Sequence, residues 1–232
     1  MIKLRAAHER GRTVVDWLDS YHTFSFNQYH DPEHTHFRKL RVINEDRVAP
    51  GGGFGQHPHR DMEILTYVIE GALEHRDSLG TGSVIRPGSL QRMTAGSGLT
   101  HSEFNHSKTE PVHFLQIWIF PEEKNLKPSY QQISFEEEGL RNDLYLLASN
   151  RFADEVIHVN QDVQLYGSVL DPGRELVYDI GPERHLWIQI VRGDGSVGGV
   201  RVGAGDGVAV SRESQIKLAA YSSMELLLFD LA

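Results

Sequence analysis

Two histidines in the first half of the chain have a spacing that suits metal binding. His57 and His59 follow a glycine-rich stretch and are separated by Pro58. Alternate side chains of a β-strand lie on the same face, so the two imidazoles are expected to point the same way. Pro58 argues against a helix and predicts an edge strand or the start of a strand. Two imidazoles placed in this way can share one metal ion.

A second pair of possible ligands follows at His101 and Glu103. These residues again alternate, and the glycines just before them allow a tight turn. If the two strands face each other across a barrel, their side chains form one site with three histidines and one carboxylate. Spacing alone does not decide which residue supplies the carboxylate ligand, because Asp61 and Glu63 continue the alternation of the first pair and compete with Glu103.

The chemistry of this set favours a transition metal. The chain has no cysteine, so nitrogen and oxygen atoms must hold any ion. Three histidines and a carboxylate suit Fe, Mn, Co, Ni, Cu or Zn and disfavour an all-oxygen Ca or Mg site. Four protein ligands leave two positions open on an octahedral ion, which an oxygenase or an enzyme that chelates its substrate requires. A structural zinc site would instead use a closed tetrahedral set of ligands. The alternative for each pair taken alone is that its residues are ordinary strand residues without a metal.

The elements that must position these residues are short strands. Apolar runs at 64–69, 114–120 and 186–191 are separated by glycine and proline turn formers. Many short strands at close spacing predict an all-β chain, built as an antiparallel sandwich or barrel. One short helix is predicted over residues 135–141, after Ser134.

A weak internal repeat predicts that one β-unit is duplicated. Residues 63–71 and 185–193 are both apolar strands that end in a charged residue and a glycine, and each half closes on another apolar strand, at 112–120 and 224–231. Such a repeat indicates two similar units, connected by residues 121–141.

The second half departs from the metal pattern. Aligning the two repeats places Asp179 and Gly181 where His57 and His59 stand, and no His-X-Glu pair follows. The two histidines beyond residue 113 are therefore expected to be structural or exposed. Among the others, those at 22, 30, 34 and 36 are expected to be solvated or to pack, and His75 to lie at the surface.

Composition excludes some partners. The 23 Lys and Arg residues against 32 Asp and Glu residues give a net charge of −9, without a basic run, which argues against direct nucleic-acid binding. No apolar run approaches the roughly 20 residues that span a bilayer, and the N-terminus lacks the apolar core of a signal peptide. We expect a cytoplasmic protein without membrane contact.

The motifs resemble those of a known family. The two histidine segments resemble the two metal motifs of the cupin superfamily of small jelly-roll barrels. The residue sequences of these motifs resemble those of pirins in particular, at residues 57–63 (HPHRDME), 93–98 (MTAGSG) and 101–103 (HSE). Residues 17–26 (WLDSYHTFSF) and 115–118 (LQIW) also resemble pirins. The resemblance covers the whole chain and is strongest to bacterial pirin-like quercetinases.

The resemblance implies a bicupin fold, with two tandem jelly-roll β-barrels. Residues 1–130 would form the N-terminal metal-binding barrel, and residues 131–232 a degenerate C-terminal barrel without metal. The implied metal ligands are His57, His59, His101 and Glu103, because the carboxylate ligand of pirins is the glutamate of the second motif. Asp61 and Glu63 then become strand residues or residues that support the ligands.

The resemblance also implies a reaction. The expected activity is that of an iron-dependent dioxygenase that cleaves the flavonol ring of quercetin-like substrates and releases carbon monoxide. Glu103 would accept the substrate proton, the partners would be a polyphenol and dioxygen, and the protein would be a monomer. The alternative is a non-catalytic iron-binding pirin that acts as a redox-responsive regulatory protein with a protein partner. A sugar-phosphate isomerase would need a phosphate-binding Lys/Arg set, which the sequence does not offer.

Overall fold

The computed structural model describes residues 1–151 and 153–232, and it is almost entirely β-structure. The first twelve strands are β1 (Ile2–Arg5), β2 (Gly11–Val15), β3 (Leu18–His22), β4 (Leu40–Val48), β5 (Gly53–His59), β6 (Glu63–Glu70), β7 (Leu73–Asp77), β8 (Gly82–Ile85), β9 (Ser89–Thr94), β10 (Leu99–Asn105), β11 (Val112–Ile119) and β12 (Ser129–Ser134). The others are β13 (Tyr145–Ser149), β14 (Ile157–His158), β15 (Val163–Leu170), β16 (Glu175–Asp179), β17 (His185–Arg192), β18 (Asp194–Val197), β19 (Val200–Gly203), β20 (Gly207–Ser211), β21 (Gln215–Ala220) and β22 (Met224–Leu231). Two 3₁₀ helices span Ala7–Glu9 and Glu137–Leu140.

The chain divides into two compact units. Residues 11–134 and 151–161 form the histidine-rich unit, and residues 1–10, 135–150 and 162–232 form the C-terminal unit. This division differs from a single cut near residue 130, because β1 pairs with β20 and so places the start of the chain in the C-terminal unit.

The histidine-rich unit is a sandwich of two antiparallel sheets. The seven-stranded sheet has the order β12-β9-β6-β11-β4-β3-β2, and the four-stranded sheet has the order β5-β10-β7-β8. Strands β6 and β11 occupy the middle of the larger sheet, and nearly all of their residues are buried. This explains why they are apolar runs rather than alternating ones. An apolar cluster that includes Leu73, Val112 and Phe114 packs beside the cavity described below.

The C-terminal unit repeats the same topology. Its larger sheet contains β1-β20-β17-β22-β15-β13 and its smaller sheet contains β16-β21-β18-β19. Strands β4 to β11 correspond to β15 to β22 in both sheets, so each unit contains one eight-stranded jelly roll. The glycines that end β6 and β17 also correspond: Gly71 has a φ of +78° and Gly193 a φ of +76°, which a side chain would disfavour. The predicted all-β bicupin fold and its internal duplication are confirmed.

Two local expectations need correction. The segment predicted as a helix over residues 135–141 contains only the four-residue 3₁₀ helix Glu137–Leu140. The predicted connection at 121–141 includes a strand, β12, which extends the large sheet by pairing with β9. No helix in the described part of the chain is long and apolar enough to cross a membrane.

Candidate metal centre

The two predicted ligand strands are neighbours in one sheet. Strands β5 and β10 pair in antiparallel fashion, with His57 directly opposite His101. They are therefore adjacent strands rather than strands that face each other across a barrel, and their side chains still meet. Strand β5 is the edge of its sheet, as Pro58 predicted, since an edge position tolerates a missing N–H donor.

The three histidines converge on one point. Possible ligand atoms of His57, His59 and His101 all lie within 4.8 Å of one another. The Nε2 atoms of His59 and His101 are 2.9 Å apart. Nitrogen ligands about 2.1 Å from an ion and at right angles to each other are separated by about 3 Å. The spacing of these two nitrogen atoms thus fits neighbouring positions on a single metal ion.

A backbone contact sets the orientation of His57. Its Nδ1 lies 2.8 Å from the carbonyl oxygen of Gly55. A carbonyl oxygen is only an acceptor, so Nδ1 carries the proton and Nε2 keeps its lone pair for a metal.

A buried chain of hydrogen bonds does the same for His101. His101 Nδ1 lies 3.3 Å from His75 Nδ1, and His75 Nε2 lies 3.1 Å from Asp77 Oδ2. The side chains of His75 and Asp77 are fully buried. The Asp77 carboxylate accepts a hydrogen bond from the N–H of His75 Nε2, so His75 Nδ1 is unprotonated and accepts a hydrogen bond from His101 Nδ1. The Nε2 atom of His101 then keeps its lone pair for the metal. The expectation that His75 lies at the surface is wrong.

Glu103 is held beside this cluster by an amide. Gln116 Nε2 donates to both carboxylate oxygens at 3.0 Å, and Thr66 Oγ1 donates to Gln116 Oε1 at 3.4 Å. Glu103 Oε2 is 3.9 Å from His101 Nε2. Glu103 is 3% exposed, so these bonds fix the carboxylate in a dry environment. Its assignment as the fourth ligand stays a prediction.

A second group of possible ligands overlaps the first. His75, His101 and Glu103 also have ligand atoms within 4.8 Å of one another. Both ring nitrogens of His75 are already hydrogen-bonded, to His101 and to Asp77. The group with His57 and His59 is therefore better suited to bind an ion.

The competing carboxylates lie elsewhere. Strand β5 ends at His59, and Asp61 adopts a φ of +49° in the turn that follows, so the alternation is broken. Asp61 accepts a hydrogen bond from the backbone N–H of Asn125. Glu63 begins β6, is fully buried, and accepts bonds from Thr94 and Asn160. Both carboxylates have structural partners.

Burial prepares two of the imidazoles to act as neutral ligands. Burial is the largest effect that lowers the pKa of His59 to about 3, followed by the neighbouring His101 and His57. Burial also lowers the pKa of His101 to about 3, followed by His57 and His75. Metal ligands must be unprotonated, so both rings are ready to bind an ion at neutral and mildly acidic pH.

The cluster opens on a cavity of about 470 Å³ in the histidine-rich unit. Its apolar lining includes Leu18, Phe26, Phe54, Met62 and Trp118. The Trp118 ring stands edge-on to His59 at 5.0 Å and to Phe26 at 5.4 Å, with interplanar angles of 87° and 82°. A cavity of this size with aromatic walls suits a flat organic molecule.

The apolar and amide residues near the ligands in the sequence divide into two groups. Phe54 and Gln116 line the cavity. Met93 and Phe114 belong to apolar clusters of the core, and Phe104 is 41% exposed.

A polar region of the lining was missed by sequence reasoning. Ser20 and Asp46 are opposite each other on β3 and β4, and His22 and Asn44 form the next pair. Burial raises the pKa of Asp46 to about 7, a direction that Glu103 and Glu45 reinforce and the hydrogen bond with Ser20 opposes. Only the alternation of polar residues in β3 and β4 could have indicated an inward polar face.

The corresponding strands of the C-terminal unit carry different side chains. Asp179 ends β16, the counterpart of β5, and is paired with Gln215. His185 lies on β17 and is hydrogen-bonded to Ser211 at 2.7 Å. Within the described residues, both groups of possible metal ligands belong to the histidine-rich unit.

Comparison with known sequences matches both halves of the chain. The family model described as Pirin matches residues 3–119, and the one described as Quercetinase C-terminal cupin domain matches residues 146–231. The quercetin 2,3-dioxygenase of Escherichia coli K12 is 46% identical over 231 residues, which cover 100% of this chain and 99% of that protein. A putative quercetin 2,3-dioxygenase of Pasteurella multocida is 42% identical over 236 residues and 100% of both chains.

Solved structures agree with these matches. The crystal structure of the bacterial pirin YhhW from Escherichia coli in complex with nickel(II) is 46% identical, with a TM-score of 0.95 over 100% of this chain and 99% of that one. YhaK from Escherichia coli is 27% identical, with a TM-score of 0.76 over 95% and 93% of the two chains. On the strength of a match that extends over both units, this chain belongs to the pirin family.

Proposed function

We propose that the chain is a metal-dependent dioxygenase that opens the flavonol ring of quercetin-like substrates. The observation that carries this proposal is the convergence of three histidines at the wall of an aromatic cavity of about 470 Å³. The names of the relatives, quercetin 2,3-dioxygenase among them, support the same substrate class.

His57, His59, His101 and Glu103 are the proposed ligands of one divalent ion. When bound, such an ion supplies Lewis-acid chemistry that favours the deprotonated form of a hydroxyl group coordinated to it. Iron is the ion that we propose for the native enzyme. The nickel(II) complex of YhhW supports a divalent metal, and sites with nitrogen and oxygen ligands bind several such ions.

Glu103 is the proposed acceptor of the proton from the 3-hydroxyl group. Its carboxylate is buried beside His101, and Gln116 donates to both of its oxygens. These bonds hold the carboxylate in one orientation and leave lone pairs for a further donor. The aromatic walls hold the flavonol plane and exclude water from the site.

The overall reaction consumes one dioxygen for each flavonol. Both atoms of dioxygen enter the organic product, and the ring carbon that carried the 3-hydroxyl group leaves as carbon monoxide. This balance provides two signals that simple oxidation of the polyphenol does not produce together, namely the uptake of dioxygen and the release of carbon monoxide.

The test compares wild-type protein of measured metal content with His101→Ala. We expect aerobic quercetin loss, with equivalent carbon monoxide trapped by a haem protein, and no loss under anaerobic conditions. His101→Ala should lose both metal and turnover, whereas His106→Ala, at an exposed histidine paired with Glu74, should keep both. Bound metal without turnover of quercetin or related polyphenols would refute the enzyme and favour the regulatory alternative.

A further inference from the structure

The cavity has a second polar region, on the sheet opposite the histidine cluster. Ser20, Asn44 and Asp46 lie on β3 and β4 of the seven-stranded sheet, and we name these three residues the polar wall. The proposed metal ligands lie on β5 and β10 of the other sheet. All three side chains of the polar wall are buried, with exposures of 2%, 3% and 4%.

Asp46 is only partly satisfied by the protein. Ser20, its cross-strand neighbour, forms a hydrogen bond with its carboxyl group. Asp46 Oδ1, in contrast, has no hydrogen-bond partner in the described part of the chain. A buried polar atom without a partner costs stability, so its presence in a cavity wall points to a group that binds there.

Asn44 supplies a donor next to this acceptor. His22 Nδ1 lies 2.9 Å from Asn44 Oδ1, and Thr13 Oγ1 lies 2.9 Å from His22 Nε2. The bond from His22 occupies the amide oxygen and directs the Nδ2 donors elsewhere. Asn44 and Asp46 are two residues apart on one face of β4, so the wall offers a donor and an acceptor side by side. A hydroxyl group, which both donates and accepts, is the matching ligand group.

We propose that Asn44 and Asp46 bind a substrate hydroxyl group other than the 3-hydroxyl that lies beside Glu103. This inference rests on the proposed function, because it takes the ligand to be a flavonol. It adds a determinant of specificity: the site selects aromatic molecules with a second hydroxyl group on the side opposite the metal. A site built to hydrogen-bond a buried substrate hydroxyl discriminates strongly against ligands that lack it, because its own polar groups are then left unpaired.

Two flavonols and three variants test this proposal. Quercetin carries hydroxyl groups on all of its rings, whereas 3-hydroxyflavone carries only the 3-hydroxyl group. Dissociation constants are measured anaerobically on metal-containing protein, by quenching of tryptophan fluorescence, for wild type, Asp46→Ala and Asp46→Asn. Glu45→Gln is the matched control, because Glu45 is the adjacent buried carboxylate and pairs with His113 and Arg47 instead.

We expect Asp46→Ala to weaken quercetin binding by about 10- to 100-fold and to leave 3-hydroxyflavone binding and metal content unchanged. Glu45→Gln should bind both ligands as wild type does. Unchanged quercetin binding in Asp46→Ala, or equal weakening of both ligands, would overturn the proposal.

Failure of the proposed function would be visible separately. If wild-type protein binds neither flavonol, the substrate class is wrong, and the unfolding temperature of Asp46→Asn then decides the role of Asp46. A lowered unfolding temperature would show that the carboxyl group is structural and would overturn the inference. An unchanged or raised temperature would support a binding role, because the wild-type carboxyl group then adds nothing to stability.

Discussion

Replacing Asp77 with asparagine should invert the proton positions along the buried chain that ends at His101. In the wild type, Asp77 Oδ2 accepts from His75 Nε2 at 3.1 Å, and the two Nδ1 atoms of His75 and His101 are 3.3 Å apart. The carboxylate can only accept, so each proton lies on the side that keeps His101 Nε2 unprotonated. The charge at one end thus sets the tautomer of a proposed ligand at the other.

The turn after β7 makes the effect of the asparagine predictable. The backbone N–H groups of Leu79 and Thr81 donate to Asp77 Oδ1 at 2.9 Å and 3.0 Å. The amide oxygen of asparagine can replace Oδ1 there, which directs its NH₂ group at His75. His75 Nε2 must then accept, its Nδ1 must donate, and the proton of His101 moves to Nε2, where it competes with a metal.

The magnitude follows from complete burial. The side chains of His75 and Asp77 are both 0% exposed, so water cannot replace the lost acceptor. Changes to groups that orient metal ligands typically reduce metal affinity by about 10- to 100-fold, or about 1.4–2.8 kcal/mol. Competition between the protein and a chromophoric chelator for Ni(II) measures this change directly, and thermal unfolding of the metal-free protein reports on the fold.

A matched control lies on the same strand. Glu74 also accepts from a histidine, His106, with 3.2 Å between the atoms, but this pair is partly exposed and is not linked to His101. Glu74→Gln should therefore bind Ni(II) as wild type does. If Asp77→Asn keeps wild-type affinity, or if Glu74→Gln loses as much, the tautomer argument is wrong.

Three further predictions concern the cavity and its buried groups. Gln116→Leu removes both hydrogen bonds to Glu103 and should lower kcat for quercetin by about 10-fold or more. Its metal content should stay near that of wild type. An unchanged kcat would show that the amide of Gln116 does not orient the carboxylate. The pKa of Asp46 is raised from 3.8 to about 7 in the folded state, so the folded state keeps a proton that the unfolded state loses. The free energy of unfolding should therefore fall by up to about 4 kcal/mol as pH rises from 4 to 7. Urea unfolding of Asp46→Asn should lack this decline. The pKa values of His59 and His101 are lowered from 6.5 to about 3 in the folded state, so their contribution to the stability of metal-free protein should be lost as pH falls below 6.5. Urea unfolding of His59→Gln should show a smaller loss of stability over this range. An equal loss would contradict the lowered pKa of His59.

Alternation along strands predicted the histidine cluster but not where the alternation stops. His57, His59 and His101 meet because each pair occupies one face of a strand, and this follows from the sequence. The departure of Asp61 does not follow, because it depends on a left-handed turn, with a φ of +49°, immediately after the strand. The choice among carboxylates therefore needed information beyond spacing.

The buried chain behind His101 had a sequence signal that was misread. His75 and Asp77 alternate along β7 in the same way as the proposed ligands, and Leu73 before them is buried. Their polar neighbours favoured a surface position, yet those neighbours are the residues that face outward. The polar wall is harder to predict, since Asn44 and Asp46 reach the cavity only through the order of strands in the large sheet.

The duplicated topology shows that side chains, rather than the fold, confine the candidate metal site to one unit. His57 and His101 lie opposite each other on β5 and β10, whereas on β16 and β21 the opposite pair that packs into the apolar core is Tyr178 and Ile216. In the histidine pair, hydrogen bonds at the far side of each ring leave a nitrogen lone pair for an ion. Tyr178 instead donates its hydroxyl hydrogen to Asp230 Oδ2 at 2.6 Å, and the side chain of Ile216 has no polar atom. The same backbone arrangement therefore offers an ion no converging imidazole nitrogens from this pair, which supports the expectation that the C-terminal unit does not hold a metal.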